Sequence, residues 1–221
     1  MIAAVSPHLD DAVLSCGALL AAHPGSLVIT VLAGGKASWD TVTPWDASCG
    51  FAPGDDVIAV RRAEDREALQ RLRALPLWLD FPDAQYGGPP PAGEMTAALE
   101  QAISLHHPDM LVVPLGLFHS DHIAVAEASL PLVFAGLARA AYAYEDVPYR
   151  RIPGLAAGAL GRLAKRGITA DPAPFHAPQR ALDQKRRAVR CYRSQLRGLS
   201  SEGRVGYDDA FRPEGRFRLH I

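Results

Sequence analysis

The chain has 221 residues, enough for a sizeable core, and its 23 Lys and Arg against 24 Asp and Glu leave a net charge of −1. A balance this close to zero gives no global field to recruit nucleic acid or an anionic membrane, so the expected partner is a small molecule. Three cysteines, Cys16, Cys49 and Cys191, are too sparse for a disulfide framework and include no Cys-x-x-Cys pair. With no leader-like start and no apolar run of membrane-spanning length, a cytoplasmic protein is expected.

Ile2 to Val5 are uncharged and do not alternate, the pattern of a strand covered on both faces, and Pro7 ends the run. His8, Asp10 and Asp11 follow at once. From Asp10 onward Val13, Leu14, Ala18, Leu19 and Ala22 recur at helical spacing, with Asp10 or Asp11 suited to cap the first turn. His23-Pro24-Gly25 breaks that helix, and Ser26 to Leu32 reads as a second buried strand. A loop then runs from Gly34 to about Gly54, long enough to expect a function for it.

A helix is expected from Asp55 to about Arg73, its polar face of Arg61, Arg62, Glu64, Asp65, Arg66 and Glu67 read as mostly solvated partners. Pro76 to Leu79 forms a third strand, ending at Asp80-Phe81-Pro82-Asp83, and Gly87 to Pro91 is irregular. The next helix, Gly93 to about Leu105, closes on His106-His107, favourably placed against the helix dipole. Leu111 to Pro114 is a fourth apolar strand. His119-Ser120-Asp121-His122 comes after a short loop and opens another helix. Ala140 to Tyr144 is the fifth strand, leading into Glu145-Asp146-Val147-Pro148-Tyr149.

The order βαβαβαβαβ predicts an α/β fold, a parallel sheet with helices on both faces, in one domain spanning 1–221. Further on, Gly154 to Arg166 reads as a short helix, Asp171 to Pro174 as irregular and Ala181 to Leu196 as one basic helix. The tail from Ser200 shows little pattern.

Two strands thus deliver His and Asp at the same structural position, and open α/β sheets bind ligands beyond the carboxyl ends of their strands. Imidazole plus carboxylate is the donor mixture of a hydrolytic zinc. A capping residue beside an unrelated histidine explains either cluster alone; the pair favours a site. If His8, Asp11 and His122 each give one donor to a single zinc, a fourth position stays open for water, whose pKa the metal lowers toward neutrality. Asp10 is then placed to accept a proton, His119 to polarise the scissile carbonyl or protonate the leaving amine, and Asp121 to orient an imidazole.

Pro7-His8-Leu9-Asp10-Asp11 with Leu14-Ser15-Cys16-Gly17, and His119-Ser120-Asp121-His122, resemble the PIG-L, or LmbE-like, zinc-dependent de-N-acetylases. Weaker likenesses are Arg61-x-x-Glu64-x-x-x-Ala68, Asp80-Phe81-Pro82-Asp83 and the stretch from Lys185 to Ser194-Gln195. The resemblance implies a Rossmann-like three-layer sandwich with a mostly parallel sheet, and hydrolysis of N-acetylglucosaminyl conjugates to the free amine. It also implies one Zn2+ per chain, with Fe2+ as the other candidate, on His8, Asp11 and His122, Asp10 as base and His119 assisting the transition state. Arg61 and Asp83 would then face the sugar. Three positions depart from the pattern: Ala12 where a glutamate commonly follows the Asp-Asp pair, Leu117 where some members carry tyrosine, and Arg216-Phe217-Arg218 in place of an aromatic C-terminal signature. They bear on the substrate more than on the reaction. Tyr144 to Tyr149 resembles a segment of a bacterial subset, in which Pro148 and the aromatics would shape a pocket wall.

Metal-dependent phosphoester hydrolysis and a non-catalytic sugar- or partner-binding domain are the competing readings. The first commonly needs two metals, and a pure binder has no need of Asp10. No Gly-x-Gly-x-x-Gly follows a strand, which argues against a dinucleotide. Substrate choice is expected to lie in the loops Gly34 to Gly54, Tyr86 to Ala92 and Tyr149 onward.

Overall fold

Seven strands form one sheet: β1 (Ile2–Ser6), β2 (Leu27–Thr30), β3 (Leu75–Trp78), β4 (Met110–Pro114), β5 (Ala140–Tyr144), β6 (Thr169–Pro172) and β7 (Arg216–His220), in the order β3-β2-β1-β4-β5-β7-β6. This computed structural model describes residues 1–36, 38–204 and 206–221; Ala37, inside the predicted 34–54 loop, and Val205, inside the tail, lie outside the described residues. The first five strands are parallel, and β7 runs antiparallel between β5 and β6.

Eight helices accompany the strands among the described residues: α1 (Asp11–Ala22), α2 (Pro44–Ser48), α3 (Val57–Leu72), α4 (Ala92–His106), α5 (Ser120–Phe134), α6 (Leu155–Lys165), α7 (Gln179–Val189) and α8 (Arg193–Leu199). They cover both faces of the sheet. Ala3 and Val5 of β1 point into a core filled by α4, α5 and α6, whereas Ile2 and Ala4 point into one filled by α1, α3 and α7. A strand whose alternate residues are buried on opposite faces needs no polar side, which is why β1 reads as an unbroken apolar run.

The chain leaves β1 for β2 and β3 on one side, then crosses back to place β4 on the other. That reversal opens a crevice beyond the carboxyl ends of β1 and β4, the usual ligand position in such sheets. Beyond the end of β2, Gly34 runs against the segment that follows the neighbouring β3, where a Cβ would lie 2.4 Å from the Asp80 carbonyl oxygen, so only glycine fits there.

Three expectations are corrected. The stretch expected to be irregular from Asp171 begins inside β6, and the tail carries β7, which pairs antiparallel with both β5 and β6. The expected basic helix 181–196 is two helices, broken at 190–192, where Tyr192 turns inward to donate to Asp65 at 2.7 Å. On α3, Arg61, Glu64 and Asp65 are buried, and each bonds to a distant segment instead of to solvent.

Among the described residues no helix is long and apolar enough to cross a membrane, and the three cysteines are buried and free. The buried pair Lys185–Glu214, at 2.8 Å, joins α7 to the tail, and Glu214 also accepts the N–H groups of Ala18 and Leu19 released by a kink at Cys16 in α1. Removing either partner would leave a buried charge uncompensated, at a cost of roughly 3–5 kcal/mol.

Candidate metal centre

The loop after β1 is held by its own polar groups. Ser6 donates its hydroxyl to the His8 carbonyl at 2.6 Å and accepts the Ala12 N–H at 3.0 Å. Asp10 occupies the N-cap position of α1 but makes no side-chain capping bond, and Asp11 turns back to accept the His8 N–H at 2.9 Å. Neither carboxylate caps the helix as expected. Both face the crevice instead.

The loop after β4 turns at Gly116 and Phe118, both with positive φ, and delivers His119 to the N-cap of α5. The Nδ1 of His119 accepts the Asp121 N–H at 3.3 Å, which in the neutral ring leaves the proton on Nε2, as a donor. One turn into α5, His122 is buried.

These two loops bring His8, Asp11 and His122 together, with one donor atom from each lying within 4.8 Å of the others. Asp11 Oδ2 is 3.1 Å from His8 Nδ1 and 3.3 Å from His122 Nε2. Donors about 2.0–2.2 Å from a tetrahedral zinc stand about 3.3–3.5 Å apart, so Asp11 Oδ2 stands close to that separation from both imidazoles. Each imidazole turns its other nitrogen to a carboxylate: His8 Nε2 lies 3.0 Å from Asp121 Oδ2, and His122 Nδ1 lies 2.6 Å from Asp146 Oδ1. Asp121 is further fixed by the Ala84 N–H, and Asp146 by the N–H groups of Gly116 and Leu117. Such outer carboxylates orient ligating histidines and raise their basicity. A second possible set is His8, His119 and Asp121, in which the His119 Nδ1 already accepts the Asp121 N–H.

The charges point the same way. Burial opposes protonation of His8 and His122, yet Asp11 with Asp121 around the first, and Asp11 with Asp146 around the second, outweigh it and raise both imidazoles. Surroundings that favour positive charge on two facing rings favour a divalent cation between them. Burial tends to raise Asp11, but His122 and His8 hold it well below the carboxylate range. Asp10 differs: only 6% exposed, it is pushed up to about 7 by burial and by the adjacent Asp11. His119 is lowered by burial and by His8, which keeps it neutral.

The crevice opens into a cavity of about 510 Å³ that His8, Asp10, Asp11, His119, Asp121 and His122 share with Arg61 and Asp83. All the expected site residues therefore line one space. Arg61 is nevertheless committed to Asp46 at 2.8 Å, with only its Nε left without a partner, and both Asp83 oxygens accept from Gln85. Sequence reasoning missed Asp46 and Asp146. Asp146 stood in a segment read as pocket wall, and the spacing to His122 carries no signal across two elements.

Comparison with known proteins bears on this geometry. The family model described as PIG-L, GlcNAc-PI de-N-acetylase, matches residues 3–133. No curated protein sequence matches the chain. Among solved structures, a deacetylase triple mutant of the teicoplanin biosynthetic pathway superposes with a TM-score of 0.80 at 27% identity, over 99% of this chain and 97% of that one. The A40926 pseudoaglycone deacetylase Dbv21 gives 0.79 at 25% identity, over 99% and 95%. The N,N'-diacetylchitobiose deacetylase of Pyrococcus horikoshii gives 0.55 at 16% identity, over 99% and 83%, a likeness of fold alone.

Proposed function

The chain belongs to the PIG-L family of GlcNAc-PI de-N-acetylases, and from that premise we propose that it is a metal-dependent hydrolase removing an acetyl, or another small acyl group, from an N-acylated amino sugar. The two neighbours at 25–27% identity are named as a deacetylase of the teicoplanin biosynthetic pathway and as the A40926 pseudoaglycone deacetylase, which supports the reaction class. The observation that carries the reading is Asp10, a carboxylate buried beside a three-donor set, raised toward neutrality and free of any cap.

Zinc is the proposed cation, with ferrous iron the alternative that the same donors accept. When bound, it supplies a Lewis acid for the acyl carbonyl and for the attacking water. The chain's own residues do the rest. Asp10 accepts the water's proton, and burial with the adjacent Asp11 raises its pKa to about 7, a range that suits a base at neutral pH. His119 donates an Nε2–H hydrogen bond to the carbonyl oxygen as negative charge develops there, and the proton taken up by Asp10 passes to the departing nitrogen as the C–N bond breaks. Asp121 and Asp146 keep His8 and His122 in position.

Acetate release from N-acetylglucosamine and its glycosides tests the proposal. Chelation should abolish it and added zinc restore it. Asp10→Asn should lower kcat by about 10²–10⁴-fold while cation binding persists. A zinc-loaded wild type inert toward every N-acyl sugar would overturn the reading.

A further inference from the structure

Asp46 carries a charge that the mechanism leaves without a task. It is fully buried in α2 and lies outside the cavity wall. Its Oδ1 accepts from Arg61 Nη2 at 2.8 Å, and its Oδ2 accepts the Tyr86 hydroxyl at 2.9 Å, which in turn accepts from Arg61 Nη1 at 3.4 Å. A buried carboxylate is held only where it is paired and bonded, so this trio fixes α2 against Tyr86.

Tyr86 ends a single 3₁₀ turn, Ala84–Tyr86, whose other end reaches the candidate metal centre. The Ala84 N–H donates to Asp121 Oδ2 at 3.1 Å, and the same oxygen lies 3.0 Å from His8 Nε2. Between the two ends, Gln85 Oε1 accepts the hydroxyl of Thr43, the N-cap residue of α2. Three consecutive residues therefore touch the support of a candidate ligand on one side and α2 on the other. The Tyr86 N–H closes the turn on the Asp83 carbonyl at 3.0 Å, and the Asp83 carboxylate accepts the Gln85 N–H and side-chain amide, which makes it one compact piece. Its exit runs through Gly87 and Gly88, both at positive φ and with open space where a Cβ would stand, so no anchor is added there. A turn this short has no core of its own, and its placement follows from the bonds at its ends.

Resting on the reading above for the place of the cation, we propose that Tyr86 and Asp46 are positioning residues of the metal centre, with the turn as a strut between them and Asp121. Docking of α2 fixes the turn, the turn fixes Asp121 through the Ala84 N–H, and Asp121 holds the His8 ring with Nδ1 toward the cation. Coupling of this kind is reciprocal, so a cation held by His8 tightens α2 against Tyr86 to the same degree. Neither Asp46 nor Tyr86 lines the cavity, and both act through their neighbours.

Zinc affinity, read by competition with a chromophoric chelator, and amide exchange with and without zinc test the strut. Tyr86→Phe removes one hydroxyl and should weaken zinc binding on the order of threefold to tenfold, less than the loss of a carboxylate that touches the ligand itself. Its acetate release, lowered at limiting zinc, should recover as zinc is raised. Ser48→Ala loosens α2 without touching the turn, since Ser48 donates to the Trp45 carbonyl within the helix, and it should leave zinc affinity unchanged. In the wild type zinc should slow exchange over residues 43–51 as well as around His8 and His122, and in Tyr86→Phe around the histidines alone. Unchanged affinity in Tyr86→Phe, an equal loss in Ser48→Ala, or no zinc-dependent protection of 43–51 in the wild type would overturn the strut. The last of these needs no variant, so it decides even where Tyr86→Phe does not fold. A wild type that binds no zinc would refute the metal centre and the strut together, whereas zinc bound without any acetate release would refute the hydrolase alone, with affinity and exchange still deciding the strut.

Discussion

His122 meets a carboxylate at each ring nitrogen, Asp11 at 3.3 Å on the side of the cavity and Asp146 at 2.6 Å behind it. The inner contact marks where a cation would sit, and the outer one fixes which nitrogen faces it. Asp146→Asn keeps the shape of this support while removing its charge. It should weaken zinc binding about 10–100-fold, read by competition with a chromophoric chelator, and unchanged affinity would refute the positioning role. The ligand candidates were legible in the sequence because each sits within a few residues of a strand end, where His and Asp interrupt an apolar run. Asp146 was not, since it reaches His122 from a different loop. Arg61 and Asp83 illustrate the opposite problem: their place in the cavity was legible, whereas their engagement with Asp46 and Gln85 depends on loops that no local pattern predicts.

At the level of elements, α3 is anchored through buried acids. Asp65 accepts the Trp78 Nε1–H of β3 and the Tyr192 hydroxyl beside α8, both at 2.7 Å, yet burial outweighs these donors and pushes it up to about 7. An ordinary aspartate titrates near 3.9, so the folded chain holds this proton more tightly than the unfolded one. Its contribution to stability is complete below about pH 4 and is lost as pH rises through about 7. Tm of the wild type should therefore fall from pH 5 to 8 more steeply than that of Asp65→Asn, and parallel profiles would contradict the shift. The helices α1, α3, α4 and α5 and the five parallel strands were legible because period and apolar runs agreed, whereas the five-residue α2 lies inside the stretch read as a loop from Gly34 to Gly54. The strand β7 carried a readable alternation, with Phe217 and Leu219 inward between Arg216, Arg218 and His220, but five residues at a chain end gave too little of it. The break between α7 and α8 has no Gly or Pro to announce it. It exists because Tyr192 is drawn to Asp65, a tertiary cause.

Across the whole molecule, the candidate ligands lie 114 positions apart in the chain and meet only because β1 and β4 are neighbours at the reversal of strand order. A cation held there bridges the early and middle parts of the fold, so binding should add to stability. Zinc at about a hundredfold excess over its Kd should contribute ~2.7 kcal/mol, a rise of roughly 5–10 °C in Tm, and His122→Ala should abolish that rise. An equal rise in the variant would place the stabilising ion elsewhere.

The most direct measurement is anomalous diffraction at the zinc edge from crystals grown with the metal. The account predicts one strong peak about 2.0–2.2 Å from His8 Nδ1, Asp11 Oδ2 and His122 Nε2, with the remaining coordination open toward Asp10 and the cavity. A peak at another position, or a fourth protein side chain closing the site, would contradict it.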